Sequence, residues 1–305
     1  MLNPTRLTVF REVVDHGSFS AAADTLSYSQ SAVSQAIATL EGEVGAPLIE
    51  RRRGGVRPTA AGAALAGHVG GILAQMEIAE AEIAAIAAGH GGRLRAASFP
   101  TAGATLMPRA IAGFRASHPG VDVTLAEGEP EEIAPRLRAG EFDLVTLFEF
   151  EGVGERLGAG LRRFELLEDP LHLALRHDHP LARRRQLRLE DLREESWVQT
   201  AAASPCARHV VRSCHAAGFE PSISFESDDY QTVQGLVAAG VGVALIPQLA
   251  LSTVRDDIRV RALHPASPVR KVFAATPRGG AVTPAVATML DVLREASRAQ
   301  AGVSA

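Results

Sequence analysis

Cysteine is nearly absent. Cys206 and Cys214 are the only two in 305 residues. That is too few for a disulfide framework, and two thiols alone cannot build a structural zinc site. Long apolar runs are missing as well: none approaches the roughly 20 residues that span a bilayer. The opening Met1-Leu2-Asn3-Pro4-Thr5-Arg6 runs straight into a helical pattern, without the basic and apolar regions of a secretion signal. Positive charge is not in excess, since the formal net charge is −4. A surface for nucleic acid would have to be a local one. No P-loop, nucleophile elbow or zincin motif occurs, and Gly152-Val153-Gly154 with Gly158 lacks the dinucleotide spacing. These absences predict a reduced, cytoplasmic, non-enzymatic protein with no cofactor and no membrane partner. The chain is 46% hydrophobic and 22% charged, an ordinary globular composition with length for two domains.

What is present begins with three short helices. Asn3-Pro4 is a good helix start, and Leu7, Phe10, Val13 and Val14 follow on one face. Gly17 ends that helix and Ser18 caps the next, which carries Phe19, Ala22, Ala23 and Leu26. The turn Ser27-Tyr28-Ser29 leads to a third helix with Val33, Ile37 and Leu40 inward and Gly45 at its end. Its outward face carries Gln30, Ser31, Ser34, Gln35 and Ala38, after Ser29. Short hydroxyl and amide side chains can approach base edges and phosphates; a plain three-helix unit with a polar solvent face fits the same pattern. The next feature favours DNA. Arg51, Arg52, Arg53 and Arg57 surround Gly54-Gly55, a basic hairpin shaped like a wing. Over residues 1–62 the basic groups Arg6, Arg11, Arg51, Arg52, Arg53 and Arg57 are matched by Glu12, Asp15, Asp24, Glu41, Glu43 and Glu50. The unit is neutral but polarised, with no charge between Asp24 and Glu41.

Residues 17–62 resemble the signature of the LysR family of transcriptional regulators. The matching runs are Gly17-Ser18-Phe19-Ser20-Ala21-Ala22-Ala23, Ser29-Gln30-Ser31-Ala32-Val33-Ser34-Gln35-Ala36-Ile37, Leu40-Glu41, Leu48-Ile49-Glu50-Arg51 and Pro58-Thr59-Ala60-Ala61-Gly62. Many relatives carry a basic residue where this chain has Gln35 or Ala38, so base preference does not carry over. A second run, Val233 to Pro247 through Gly240 and Gly242, resembles the family's other signature. The resemblance implies a winged helix-turn-helix at 1–62, a linker helix at 59–88, a hinge at 89–92 and an effector-binding domain at 93–305. The last is a two-lobed α/β unit like type 2 periplasmic binding proteins. Lobe I covers about 93–167 and 265–305, and lobe II about 168–264. Implied partners are double-stranded promoter DNA, a small-molecule effector and a second copy of the chain. Assembly to a tetramer, and contact with RNA polymerase, are further candidates.

Thr59 can cap the linker helix. Its apolar residues Leu65, Val69, Ile72, Met76, Ala79, Ile83 and Ile86 step by 4, 3, 4, 3, 4, 3. That is a heptad seam, which drives two helices together; one amphipathic helix lying on its own domain is the alternative. Gly89-His90-Gly91-Gly92 then breaks the helix. Beyond it, strand and helix patterns alternate, which predicts parallel α/β structure. In such folds ligands sit beyond strand ends near helix N-termini. The candidates are Ser98, Phe99 and Thr101, then Thr200, Ala201 and Ser204, then Ser227, with Glu127 and Phe148 at neighbouring strand ends. Any single hydroxyl could equally be only a helix cap.

Two sharper alternatives concern single sites. His177-Asp178-His179-Pro180 could suggest a metal, yet no further ligand cluster lies near it and a polar loop reads better. Cys206 and Cys214 fall in a region where peroxide-sensing members of the family use two cysteines. Pro205 stands where the reactive one would align, although Arg208 and His209 could lower the pKa of Cys206. Eight residues on one helix separate the thiols by about 12 Å, so a disulfide requires unwinding it.

Overall fold

The structure is a computed structural model that describes residues 2–52, 55–87, 92–151, 160–279 and 282–302. Helix α1 (Pro4–His16) starts where Asn3 accepts the Arg6 N–H, and ends at Gly17 with φ +60°. Helix α2 (Phe19–Leu26) is capped by Ser18, and left-handed Ser27 turns the chain toward α3 (Gln30–Val44). Strands β1 (Ile49–Arg52) and β2 (Gly55–Pro58) form an antiparallel hairpin. Leu7, Phe10, Val13, Val33, Ile37, Leu40 and Leu48 close a common core beneath them.

Helix α4 (Ala60–Ala87) has 28 residues, about 42 Å of rod. Its apolar stripe serves two different surfaces. Val69 is 1% exposed within the N-terminal core, and Leu65 and Ile72 pack partly against it. At this end of the expected seam the helix packs on α1 of its own chain, because the hairpin returns it across its own domain. Met76 and Ile83 are exposed at 39% and 67%. The Ile86 side chain lies outside the described residues, as do 89–91 of the expected hinge.

The second domain is built on β3 (Arg93–Ser98), α5 (Pro100–Ser117), β4 (Asp122–Glu127), α6 (Pro130–Arg138) and β5 (Leu144–Phe150). Next come β6 (Leu161–Arg176), β7 (Ser196–Gln199), α7 (Pro205–Ala216), β8 (Ser222–Glu226) and α8 (Tyr230–Ala238). It closes with β9 (Ala244–Pro247), β10 (Ile258–Arg261), β11 (Val269–Pro277) and α9 (Pro284–Gly302). The main sheet runs β10-β6-β11-β5-β3-β4, with β9 also on β6. Strand β3 is parallel to β4 and β5, whereas β11 lies antiparallel between β5 and β6. The sheet is thus mixed, where strand–helix alternation suggested a parallel one.

The feature that positions the site is β6. Its first part, to Pro170, pairs with β11; its second, from Leu171, pairs with β9 and β10. One strand is shared by two lobes, and the chain returns through the segment between β10 and β11. In lobe II, β7 and β8 pair in parallel and join the rest through Trp197 and Val243. Buried Leu171, Leu173, Trp197, Phe99, Phe114 and Phe148 belong to one continuous apolar cluster spanning both lobes.

Candidate functional site

Two surfaces carry the candidate residues. The first is α3 with the hairpin. Ser29 accepts the Ala32 N–H at 3.2 Å and meets the Ser31 hydroxyl at 2.9 Å. Gln30, Ser31 and Gln35 are exposed on the outer face and Ser34 is half-buried there. The hairpin is fixed relative to that face by one side chain of α3. Glu41 Oε1 accepts the N–H groups of Leu48 and Ile49 at 2.7 and 3.1 Å. At the hairpin's other edge the Val56 N–H donates to Gly17 O at 2.9 Å. A Cβ at Gly55, where φ is +148°, would fall 2.7 Å from that carbonyl oxygen, so only glycine lets the hairpin seat on the end of α1. Arg57 is exposed on β2. Arg53 and the side chains of Arg51 and Arg52 lie outside the described residues.

The second surface is a cleft between the lobes. It is lined by Phe99, Pro100, Thr101, Glu129 and Phe148 from lobe I, Thr200, Ser204, Cys206, Asp228 and Tyr230 from lobe II, and Arg270 at the junction. Its cavity volume is about 20 Å³, room for a water-sized group in this closed arrangement. Arg270 is 1% exposed. It sits on β11 directly opposite Asp169 of β6, and their ion pair closes at 2.8 Å. The same guanidinium donates to Thr101 Oγ1 at 2.6 Å, approaches Cys206 Sγ at 3.8 Å, and lies 5.0 and 4.5 Å from the Phe99 and Phe148 ring centres. Burial opposes its charge, and the Asp169 carboxylate more than offsets that. Asp169 also accepts the Leu249 N–H at 3.0 Å. One pair therefore ties together both strands that join the lobes.

Three helices begin at this cleft, each with proline at its first position: Phe99-Pro100, Glu129-Pro130 and Ser204-Pro205. Ser204 caps α7 by accepting the Ala207 N–H at 3.1 Å, and its hydroxyl meets Thr200 at 2.5 Å. Burial pushes the Glu129 carboxyl up to about 7 against the pull of Arg270, and Asp228, Glu131 and Glu132 push it the same way. Across the lips, Arg208 of α7 pairs with Glu131 of α6, and His209 stacks on Phe150 at 4.0 Å.

Of the residues expected from sequence, Phe99, Thr101, Phe148, Thr200 and Ser204 meet in the cleft. The others do not line it. Ser98 is buried behind it, bonded to Thr146 at 2.7 Å. Glu127 is exposed at the end of β4. Ala201 gives its N–H to Asp228 at 2.9 Å, and Ser227 turns its hydroxyl to the Asp229 backbone. Sequence reasoning missed Glu129, Tyr230 and Arg270, while Asp228 lines the cleft from the segment marked at Ser227. The shared X-Pro helix start could have found Glu129. Arg270 has no comparable signal, because it stands beside exposed Lys271 in an ordinary strand.

The two thiols are buried rather than activated. Burial raises the Cys206 pKa against the effect of Arg270, and pushes Cys214 up to about 12. A reactive cysteine needs the opposite shift. His177 Nδ1 lies 3.2 Å from Asp257 O and His179 pairs with Glu195 at 3.3 Å, which gives each ring of the suspected metal motif a protein partner.

Comparison with known proteins matches this architecture from end to end. Residues 4–63 match the bacterial regulatory helix-turn-helix protein family of lysR type, and residues 87–298 match the LysR substrate binding domain. A probable HTH-type transcriptional regulator, LrrA of Synechococcus elongatus, is 32% identical over 301 residues, covering 96% of this chain and 97% of that protein. The hydrogen peroxide-inducible genes activator of Dickeya chrysanthemi is 26% identical over 285 residues, 93% of this chain and 92% of its own. Full-length CbnR in complex with its target DNA shares the fold at a TM-score of 0.60 and 22% identity, over 97% of this chain and 100% of that one. With both domains matched in order, and a relative 32% identical over 96% of its length, the chain belongs to the LysR family of bacterial transcriptional regulators.

Proposed function

We propose that α3 and the β1–β2 wing contact double-stranded promoter DNA, that the interlobe cleft binds the small-molecule effector, and that the chain acts in the cytoplasm as a homo-oligomer without catalysing a reaction. In this reading residues 1–62 bind DNA, α4 connects and dimerises, and residues 93–305 sense. No helix among the described residues is long and apolar enough to cross a membrane. The observation that carries the DNA half is division of labour on one surface. Helix α3 offers exposed amide and hydroxyl groups and no cation, while four of the six arginines of residues 1–62 lie on the wing.

Ser29, Gln30, Ser31, Ser34 and Gln35 would then read bases or grip the backbone through neutral hydrogen bonds. Arg51, Arg52, Arg53 and Arg57 would neutralise phosphates. A good bidentate side chain–base pair contributes roughly 1–3 kcal/mol of discrimination. A lost phosphate contact lowers the log–log salt slope by about 0.9 per site and weakens all sequences alike. Binding isotherms on the chain's own promoter and on scrambled duplex, at several salt concentrations, separate the two. Gln35→Ala should weaken the promoter far more than scrambled DNA and leave the slope unchanged. Arg57→Ala should weaken both and flatten the slope. Equal losses on both duplexes for Gln35→Ala, or none, would remove α3 as the reading helix at that position.

A further inference from the structure

We propose that the effector is a small primary ammonium compound, an amine or an amino acid, whose ammonium group is held between Glu129 and Asp228 and whose arm reaches past Tyr230 toward Gln199. This rests on the reading of the interlobe cleft as the effector site. The argument starts from the charge the cleft has left to offer. Arg270 is its one lining cation, and that charge is already matched by Asp169 at 2.8 Å. The remaining ionisable acids on the lining are Glu129 from lobe I and Asp228 from lobe II, on opposite walls. An anionic ligand would enter against both.

Two backbone donors at the lobe II lip are also taken. The Ala201 N–H donates to Asp228 at 2.9 Å, and the Ala202 N–H reaches Glu226 at 3.4 Å. The chain's own carboxylates thus occupy the amides at the turn before α7. An ammonium ion fits the same place by a different route. It supplies three donors to carboxylate oxygens and relieves the repulsion between the two walls. Asp228 has a second oxygen beyond the one that holds Ala201.

A separate observation shows where the rest of the ligand goes. A second cavity inside lobe II shares Thr200, Cys206 and Tyr230 with the cleft and continues to Gln199, Val210, Val233 and Leu245. Beyond the shared Thr200, Cys206 and Tyr230 its lining is apolar except at Gln199, a residue 7% exposed whose Oε1 has no hydrogen-bond partner among the described residues. A buried polar end left unmet costs stability until something fills the space beside it. An arm running from the cleft into this cavity, past the Tyr230 ring, places ligand atoms against that carboxamide.

Glu129 also sets a direction with pH. The groups facing it are Arg270, Asp228, Glu131 and Glu132, with Cys206 and Tyr230 across the cleft. Its carboxyl, raised to about 7 mainly by burial, must ionise to hold an ammonium ion. Binding should therefore tighten about tenfold from pH 6 to pH 8. An anion that needed Glu129 neutral would show the reverse.

The test uses the full chain and three probes sharing one skeleton: 2-aminopentanoate (norvaline), butylamine and pentanoate, titrated by calorimetry to 10 mM. Butylamine, norvaline or both should bind, pentanoate should not, and Glu129→Gln and Asp228→Asn should each weaken binding at least tenfold. Preference for norvaline identifies an amino acid, and equal binding identifies an amine. Thr101→Val and Thr200→Val report on the place. If pentanoate alone binds and these threonine variants abolish it, the cleft is the site and the ammonium assignment is wrong. If an ammonium probe binds unchanged in both threonine variants, the cleft itself is wrong. Failure of every ammonium probe to bind overturns the proposal.

Discussion

Glu129 stands just before α6 with its carboxyl inside the cleft, and a single proton decides its charge near neutrality. Its folded pKa is raised to about 7 by burial, with Asp228, Glu131 and Glu132 adding to the rise and Arg270 opposing it. The unfolded chain ionises the same group near the ordinary glutamate value of 4.5. The linkage sign follows from that order: this group's contribution is fully present below about 4.5 and is lost as pH rises through about 7. The effector-free sensor should therefore lose stability between pH 5 and pH 8. The loss is on the order of 2–3 kcal/mol at most, reduced where solvent screens the carboxyl. Glu129→Gln should flatten that part of the profile. Denaturant unfolding of both proteins across this range measures it, and parallel profiles would show that Glu129 does not titrate near neutrality.

Among the elements, α4 is where sequence pattern and packing part company. The 4, 3 spacing of its apolar residues is real, yet a spacing does not say which surface it meets. Val69 is buried by its own domain and Ile72 partly so, while Ile83 is 67% exposed. A dimer seam should therefore be tested at Ile83 rather than at Ile72. Ile83→Glu places a charge in an apolar contact without touching the N-terminal core, and should shift sedimentation toward monomer at micromolar concentration with the domain still folded. A dimer of unchanged strength would move the interface elsewhere. The helix-turn-helix was legible because its caps, glycine stops and turn are local: Asn3, Ser18, Ser29, Gly17 and Gly45 each act within four residues of themselves. The cleft was legible where strand ends run into helix starts, at Phe99, Thr101, Phe148, Thr200 and Ser204. Arg270 and Asp169 were not, since they meet across 101 residues of chain. The first part of β6 is hard to read for a related reason. It is an antiparallel strand paired through β11 and alternates too little to stand out.

At the scale of the whole molecule, the two domains meet where α4 passes the end of α6. The contact is made of backbone and methyl groups. Gly140, with φ +77°, lies so close to α4 that an added Cβ would fall 2.1 Å from Ala74 Cβ, and one added at Gly70 would fall 3.4 Å from Ala139 Cα. Gly140→Ala should destabilise the protein by roughly 1–2 kcal/mol through left-handed strain and collision together. Adding Ala74→Gly should recover the collision part only. Unfolding of the single and double variants in denaturant checks this, and a double variant no better than the single would show that α4 simply moves aside. The residues that meet there, Gly70, Ala74, Ala139 and Gly140, carry no side chain larger than a methyl, and small surfaces of this kind resist sliding less than deeply meshed ones do. Such a joint has the build of a plain bearing. Close approach fixes how near the α4 rod runs to the second domain, and with no long side chain at the point of contact the angle between them is left to whatever else holds the rod.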